Sequence, residues 1–236
     1  MIIRMVCLFF CAASIFYGDK VDLRDYNEWN IVQLAAHFLP EDPVVVIAGG
    51  QAGETMIQMA YQWPEGRIYA FEPNPDFFSL LQQQKSWFPR SEVFPFALDH
   101  VEKDASFFLS NNPMNPRIGS LMEASPDWKW HYQDSSSHLV RCINLEKWAQ
   151  EHQVNNVDFL WLNIGGAEGR VLQSIPHLIK TVQVIFIETY FQEFRQEIRL
   201  YKDVQQYLTQ QGFEEIQHWK IQNFQGYALF ARRKNK

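Results

Sequence analysis

Cysteine is scarce in this chain: only Cys7, Cys11 and Cys142 occur in 236 residues. That is no even set for a disulfide framework and offers no metal-ligand spacing. Clustered basic charge is missing as well. Lys and Arg number 21 against 27 Asp and Glu, a net charge of -6, and the only basic cluster, Arg232-Arg233-Lys234 with Lys236, reads as a solvated end. A nucleic-acid surface requires such clusters, so no nucleic-acid partner is expected. The histidines, His37, His100, His131, His138, His152, His177 and His218, show no pairing at helical or hairpin spacing, and no metal is expected. There is no hydrolase-type serine elbow, no phosphate-loop lysine motif, no internal repeat and no low-complexity tract.

A long hydrophobic run is lacking too. The apolar stretch Met5 to Phe16, between Arg4 and Gly18-Asp19-Lys20, is too short to span a bilayer as a helix, so no stable membrane span is expected. It resembles a signal-peptide core, with the small residues Cys11-Ala12-Ala13-Ser14 where cleavage would fall. The alternative is an N-terminal strand or helix packed on the domain. Location follows from that choice: cytoplasmic, or secreted or periplasmic if residues 1–18 are a signal peptide, and nucleotide-type cofactors are scarce outside the cytoplasm. Residues 19–42 read as a helical lead-in and 43–236 as one domain, long enough to bury a substantial core.

What the chain does have is an apolar run that breaks into glycines and reopens as a helix: Val44-Val45-Val46-Ile47-Ala48-Gly49-Gly50-Gln51-Ala52-Gly53-Glu54-Thr55. Downstream, Ile68-Tyr69-Ala70-Phe71-Glu72-Pro73 answers it with a second strand ending in an acid. Glycines without a Cβ let a ligand approach the main chain closely. Glu72, roughly 20 residues after the turn, is placed to accept hydrogen bonds from two ribose hydroxyls. The pair describes a pocket for an adenosine-bearing cofactor. A turn that is glycine-rich only for steric reasons is the competing reading.

Helical spacing appears from Tyr26 to Leu39, at Met56, Met59 and Ala60, and at Phe77, Phe78, Leu80 and Leu81 behind Asn74-Pro75-Asp76. Val93 to Leu98 reads as a third strand and Ser106 to Leu109 as a short fourth. Between Ser110 and His138 the pattern dissolves. A stretch that long suggests a functional loop, in which Met114, Trp128, Trp130, His131 and Tyr132 either line an acceptor pocket or pack the loop to the core. Leu139 to Ile143 is followed by a helix through Leu145, Trp148, Ala149 and His152. The run Val157 to Ile164 has the near-continuous apolarity of a strand buried on both faces. Gly165-Gly166-Ala167-Glu168 ends it and opens a helix. Val182 to Ile187 repeats the strand signature and ends at Glu188, a helix from about Ile198 to Leu208 stops at Gly212, and the tail alternates as a β-hairpin. Alternating strands and helices predict an α/β fold around a parallel sheet with an antiparallel C-terminal hairpin.

In that order the chain resembles class I S-adenosylmethionine-dependent methyltransferases, and within them the FkbM family. The likeness runs from about Pro43 to Ala231. It is carried by Gly49 to Thr55, Phe71-Glu72-Pro73, Ile118-Gly119-Ser120-Leu121, and Val157 to Glu168 with Val171-Leu172. The resemblance implies a Rossmann-like, doubly wound, mostly parallel seven-stranded sheet, and S-adenosyl-L-methionine as cofactor. It implies that Gly49, Gly50, Gln51 and Gly53 wrap the amino-acid part of the cofactor, that Glu72 and Pro73 border its ribose, and that Ala97, Leu98 and Asp99 border its adenine. Family members usually methylate an oxygen of a sugar or other small molecule, so a small-molecule or glycan acceptor is expected.

The chain departs from the family's motifs at three places. Ile47 stands where an aspartate usually precedes the first glycine, and Asn163-Ile164-Gly165-Gly166-Ala167-Glu168 stands for Asp-Val-Glu-Gly-Ala-Glu. An amide can orient a ligand but cannot act as a base near neutral pH. Asn163 and Glu168 are the candidate catalytic residues, Glu168 alternatively stabilising a helix start, where the dipole favours its ionised form. Glu188 is a candidate to replace a missing carboxylate. Two further readings compete: a noncatalytic relative that keeps the fold as a binding or secreted module, and a nicotinamide-dependent oxidoreductase, against which the terminal hairpin and the glycine spacing argue.

Overall fold

The computed structural model describes residues 26–110, 119–128 and 134–233. The expected leader (1–18), the start of the lead-in and much of the expected loop (111–118 and 129–133, with Met114, Ile118, Trp130, His131 and Tyr132) lie outside the described residues.

Helix α1 (Glu28–Ala36) starts at Asn27, whose side chain accepts from the Trp29 N–H and so satisfies one of the donors a helix start leaves open. It buries Ile31, Val32 and Ala35. Strand β1 (Val44–Ala48) leads through the glycine turn to α2 (Glu54–Gln62), then to β2 (Arg67–Phe71), α3 (Pro75–Lys85) and β3 (Ser91–Phe94). Asn74 caps α3 by accepting from the Asp76 N–H, and Pro75 sits in the first turn, where its missing N–H costs nothing.

Strands β8 (Phe159–Leu162) and β9 (Val184–Tyr190) lie on the other side of β1, separated in sequence by α5 (Glu168–Gln173). After α6 (Tyr201–Gln210), β10 (Phe213–Lys220) and β11 (Gln225–Arg232) close the chain. The seven-stranded sheet runs β10-β11-β9-β8-β1-β2-β3. Pairings from β9 to β3 are parallel, and β11 runs antiparallel to both β9 and β10. The expected hairpin is therefore the sheet's edge. Chain order reverses at β1, and the crevice outside the carboxyl ends of strands at such a reversal is where open α/β sheets bind ligands.

Alternation along the strands fills both faces. Val46, Ala48, Leu160, Leu162, Ile185 and Ile187 belong to one buried cluster. Val45, Ile47, Phe159, Trp161, Val184 and Phe186 belong to the other, under α1 and α2. Trp161 stacks on Phe186 with ring centroids 3.8 Å apart, and Phe186 on Tyr227 at 5.5 Å. Ile47, where the family usually has an aspartate, is a fully buried core side chain.

A second sheet, of four strands, corrects the expected course between Val93 and Ile143. The single strand expected over Val93 to Leu98 is broken at Pro95. Its first half is β3; its second is β4 (Ala97–Leu98), which pairs with β7 (Asp134–Ile143). The short fourth strand is the longer β5 (Lys103–Ser110), antiparallel to β7. The stretch read as patternless contains β6 (Gly119–Ser120), a 3-10 turn at Pro126–Trp128 and the start of β7. Its polar residues obscured strands that are half exposed, as an edge sheet allows. Helix α4 (Leu145–Glu151) follows, capped by Asn144, which accepts from the Lys147 N–H. Helix α6 starts three residues later than expected. Glu188 lies within β9 rather than at its end, because that strand continues to Tyr190.

Candidate active site

The glycine turn after β1 is folded against β2. Gly49 and Gly50 both donate their N–H to the carbonyl of Phe71, at 3.0 and 2.9 Å. Gly49 adopts φ +84, and a Cβ there would fall 2.1 Å from the carbonyl oxygen of Asn163, so only glycine fits. Gln51 takes a left-handed φ of 46 without being glycine. Such strain persists where surrounding bonds hold it, and here the Gln51 N–H donates to Glu72 Oε2 at 2.8 Å.

Glu72 is the hub. Its other oxygen, Oε1, accepts from the Asn74 N–H at 2.8 Å, so one carboxylate ties the first turn to the segment after β2. Burial pushes its carboxyl from the ordinary 4.5 up to about 7, against the lowering effect of the hydrogen bonds from Asn74 and Gln51. Glu72 remains half ionised near neutrality.

These groups border a cleft of about 520 Å³ of empty space, its open mouth included. Of the residues expected to bind cofactor, Gly49, Gln51, Glu72, Pro73, Ala97 and Leu98 line it, as does the candidate catalytic Asn163. Gly50 and Gly53 do not. Gly50 lies where a Cβ would meet Leu81 at 2.8 Å, and Gly53, at φ +103, starts α2 against Leu81 and Gln84. They pack the turn onto α3. Asp99 is also away from the cleft. It is held below its ordinary pKa, because hydrogen bonds from His100 and Lys103 and the charge of Arg170 outweigh its burial.

Glu168 sits behind the cleft wall, not in it. Its Oε1 accepts from the Ile164 N–H at 2.8 Å and its Oε2 from the Gly166 N–H at 2.9 Å. Burial, and then the charge of Glu188, push its pKa up. This corrects the expectation that the helix start keeps it readily ionised: removal from water outweighs the dipole.

Sequence reasoning missed the apolar walls. Phe77 comes from α3, Phe96 from the break between β3 and β4, and Phe107, Gly119 and Leu121 from the second sheet and just beyond it. The Gly119 segment was flagged by motif, but nothing in its pattern tells that Gly119 lies flat on Phe107, where a Cβ would be 2.3 Å from the ring. Trp128 packs with Phe194 and Phe224, so of the two roles weighed for it the structure supports packing. Among the described residues no group of three or more His, Cys, Asp or Glu is placed to hold a metal, and no helix is long and apolar enough to cross a membrane.

A sheet whose order reverses beside β1, a glycine turn at that strand's end and an acid after its neighbour make a nucleoside-binding α/β architecture, and the antiparallel strands at the sheet's edge set it apart from a dehydrogenase-type domain. Residues 48–215 match the Methyltransferase FkbM domain, and the chain belongs to that family. The chain is 21% identical over 159 residues to the 2-O-methyltransferase NoeI of Sinorhizobium fredii (strain NGR234), covering 64% of this chain and 65% of that protein. It is 33% identical over 82 residues to Methyltransferase 1 of Beauveria bassiana, covering 35% of this chain and 33% of that one. The chain thus spans less than two thirds of the length of either relative. The crystal structure of methyltransferase FkbM from Methylobacillus flagellatus KT superposes with a TM-score of 0.53 at 12% identity, over 80% of this chain and 44% of that one. That likeness shows the fold.

Proposed function

We propose that the protein transfers a methyl group from S-adenosylmethionine to a hydroxyl of an uncharged small molecule or glycan. The observation that carries this reading is the meeting of Gly49, Gln51 and Glu72 in one cleft at the carboxyl ends of β1 and β2. The cleft suits the cofactor. Each oxygen of Glu72 accepts one backbone N–H and keeps acceptor capacity for a ribose hydroxyl. Its charge, the only one among the described lining residues, also balances a sulfonium. Gly49, Gln51, Glu72 and Pro73 would hold the cofactor, with Ala97 and Leu98 against its base. When bound, it supplies an already activated methyl group, so the protein's task is to align the acceptor and exclude water.

Asn163 is the polar side chain of the wall opposite Glu72. It orients an acceptor hydroxyl by hydrogen bonding and takes no proton. Phe77, Phe96 and Phe107 keep water out. Among the described residues no Lys, Arg or His lines the cleft, which favours a neutral acceptor over a phosphate-bearing one such as nucleic acid. NoeI is by name a 2-O-methyltransferase, in keeping with an oxygen acceptor. A nucleoside cofactor in turn favours the cytoplasm.

The test incubates the protein with S-adenosylmethionine and a panel of neutral sugars and hydroxylated small molecules, with RNA in parallel. S-adenosylhomocysteine and a methyl ether should form with a neutral hydroxyl compound, and Asn163→Ala should lower kcat about tenfold or more by misaligning the acceptor. Product with RNA alone, or none with any acceptor, overturns the reading.

A further inference from the structure

Beneath the second glycine turn lies a pair of buried acids that the proposed reaction does not use. Glu168 opens α5; Glu188 stands on β9. The turn between them, Ile164 to Gly166, presents three successive backbone N–H groups. Those of Ile164 and Gly166 bond to Glu168, and that of Gly165 favours the charged form of Glu188. Converging N–H groups of this kind form a nest for an anion. Here the chain's own carboxylates fill it.

The two acids are joined by Tyr190, whose hydroxyl donates to Glu188 Oε2 at 2.6 Å and lies 3.4 Å from Glu168 Oε1. Gln225 donates to the remaining oxygen of Glu188. On the cleft side, Ser120 donates its hydroxyl to the Gly165 carbonyl at 2.7 Å. Gly165, at φ +67, would carry a Cβ 2.4 Å from the carbonyl of Gly119. The carboxylate that related chains carry at this position therefore has no room, and Glu188 reaches the same turn from behind.

We propose that Glu188, acting with Glu168 through their joint hold on the Ile164 to Gly166 turn, is a positioning residue that fixes Asn163 and Ile164 as the wall of the cleft opposite Glu72. This rests on the proposed methyl-transfer reading for its consequence, though not for its geometry. Two carboxylates in one dry site cannot both ionise cheaply, so the turn they support is coupled to pH. The groups facing Glu188 are Glu168 from α5, Tyr190 from its own strand, Gln225 and Tyr227 from β11, Arg195 from the segment after β9, and Tyr26 ahead of α1.

The test uses isotope-labelled full-length protein with no ligand, then with S-adenosylhomocysteine. In the wild type, the amide resonances of Ile164, Gly165 and Gly166 should titrate together as the acid pair ionises. In Glu188→Gln the Gly165 amide should no longer titrate, while the other two follow Glu168 alone. Glu188→Ala should shift the Asn163 side-chain amide resonance and weaken S-adenosylhomocysteine about tenfold, and Glu188→Gln, which can still accept from Tyr190, should stay within about threefold of wild type. An Asn163 resonance unmoved in both folded variants overturns the proposal. So do three amides that titrate independently. A wild type that shows this coupled titration yet binds no S-adenosylhomocysteine would sink the methyl-transfer reading and leave the turn's clamp standing.

Discussion

The chain builds the same unit twice: a buried strand, a glycine pair, a helix, and a next strand with an acid at or near its end. In the first copy, β1 through Glu72, the acid faces a cleft and spends only half its acceptor capacity on the chain. In the second, β8 through Glu188, the N–H groups of Ile164 and Gly166 are taken by Glu168, buried beside Glu188. The difference lies in what stands above each turn. Over the first, the second sheet leaves a gap walled by Phe96 and Phe107; over the second, β6 comes down on Gly165 and is bonded to it through Ser120. One local pattern thus serves ligand binding in one place and self-support in the other.

Forcing side chains into the turns attacks the comparison hardest. Gly49→Ala and Gly165→Glu each place a Cβ against a backbone carbonyl at positive φ, at 2.1 and 2.4 Å. Each should cost about 3 kcal/mol or more in chemical denaturation. Restoring the family's usual acid at Gly165 should therefore fail to improve the protein. If Gly165→Glu is as stable as wild type, β6 does not close the second turn as described.

Acidity separates the copies more finely. Because burial raises Glu72 from 4.5 to about 7, its folded form prefers the proton. The stabilisation this gives is fully present below about pH 4.5 and is lost as pH rises through 7, about 3 kcal/mol in all. Glu168 and Glu188 are raised as well and act in the same direction. Thermal unfolding should show Tm falling from pH 5 to 8, with part of the slope removed by Glu72→Gln and the rest left by the second pair. Ligand binding, which uses ionised Glu72, should run the other way, S-adenosylhomocysteine binding about tenfold more tightly at pH 8 than at pH 6. A flat stability profile would mean that Glu72 is wetter than its surroundings indicate.

Much of this was legible in the residues. The long apolar runs gave away β1, β8 and β9, the acid after β2 marked the cleft, and the alternating tail foretold the antiparallel edge. What stayed hidden has physical causes. Strands of the second sheet are short, half exposed and polar, so periodicity and burial never reinforce each other there. Gly50 and Gly53 look like ligand-wrapping glycines because close packing on Leu81 and close approach of a ligand demand the same missing Cβ. Glu168 looked like a catalytic or helix-start acid because the sequence does not show that β9 brings Glu188 and Tyr190 beside it.

Calorimetric titration with S-adenosylmethionine at pH 8, on wild type and on Glu72→Ala, tests the central claim most directly. The structure predicts micromolar binding to the wild type, weakened at least about tenfold when the carboxylate that receives the ribose is removed. No heat from the wild type at millimolar ligand, or equal affinity in the variant, would contradict it.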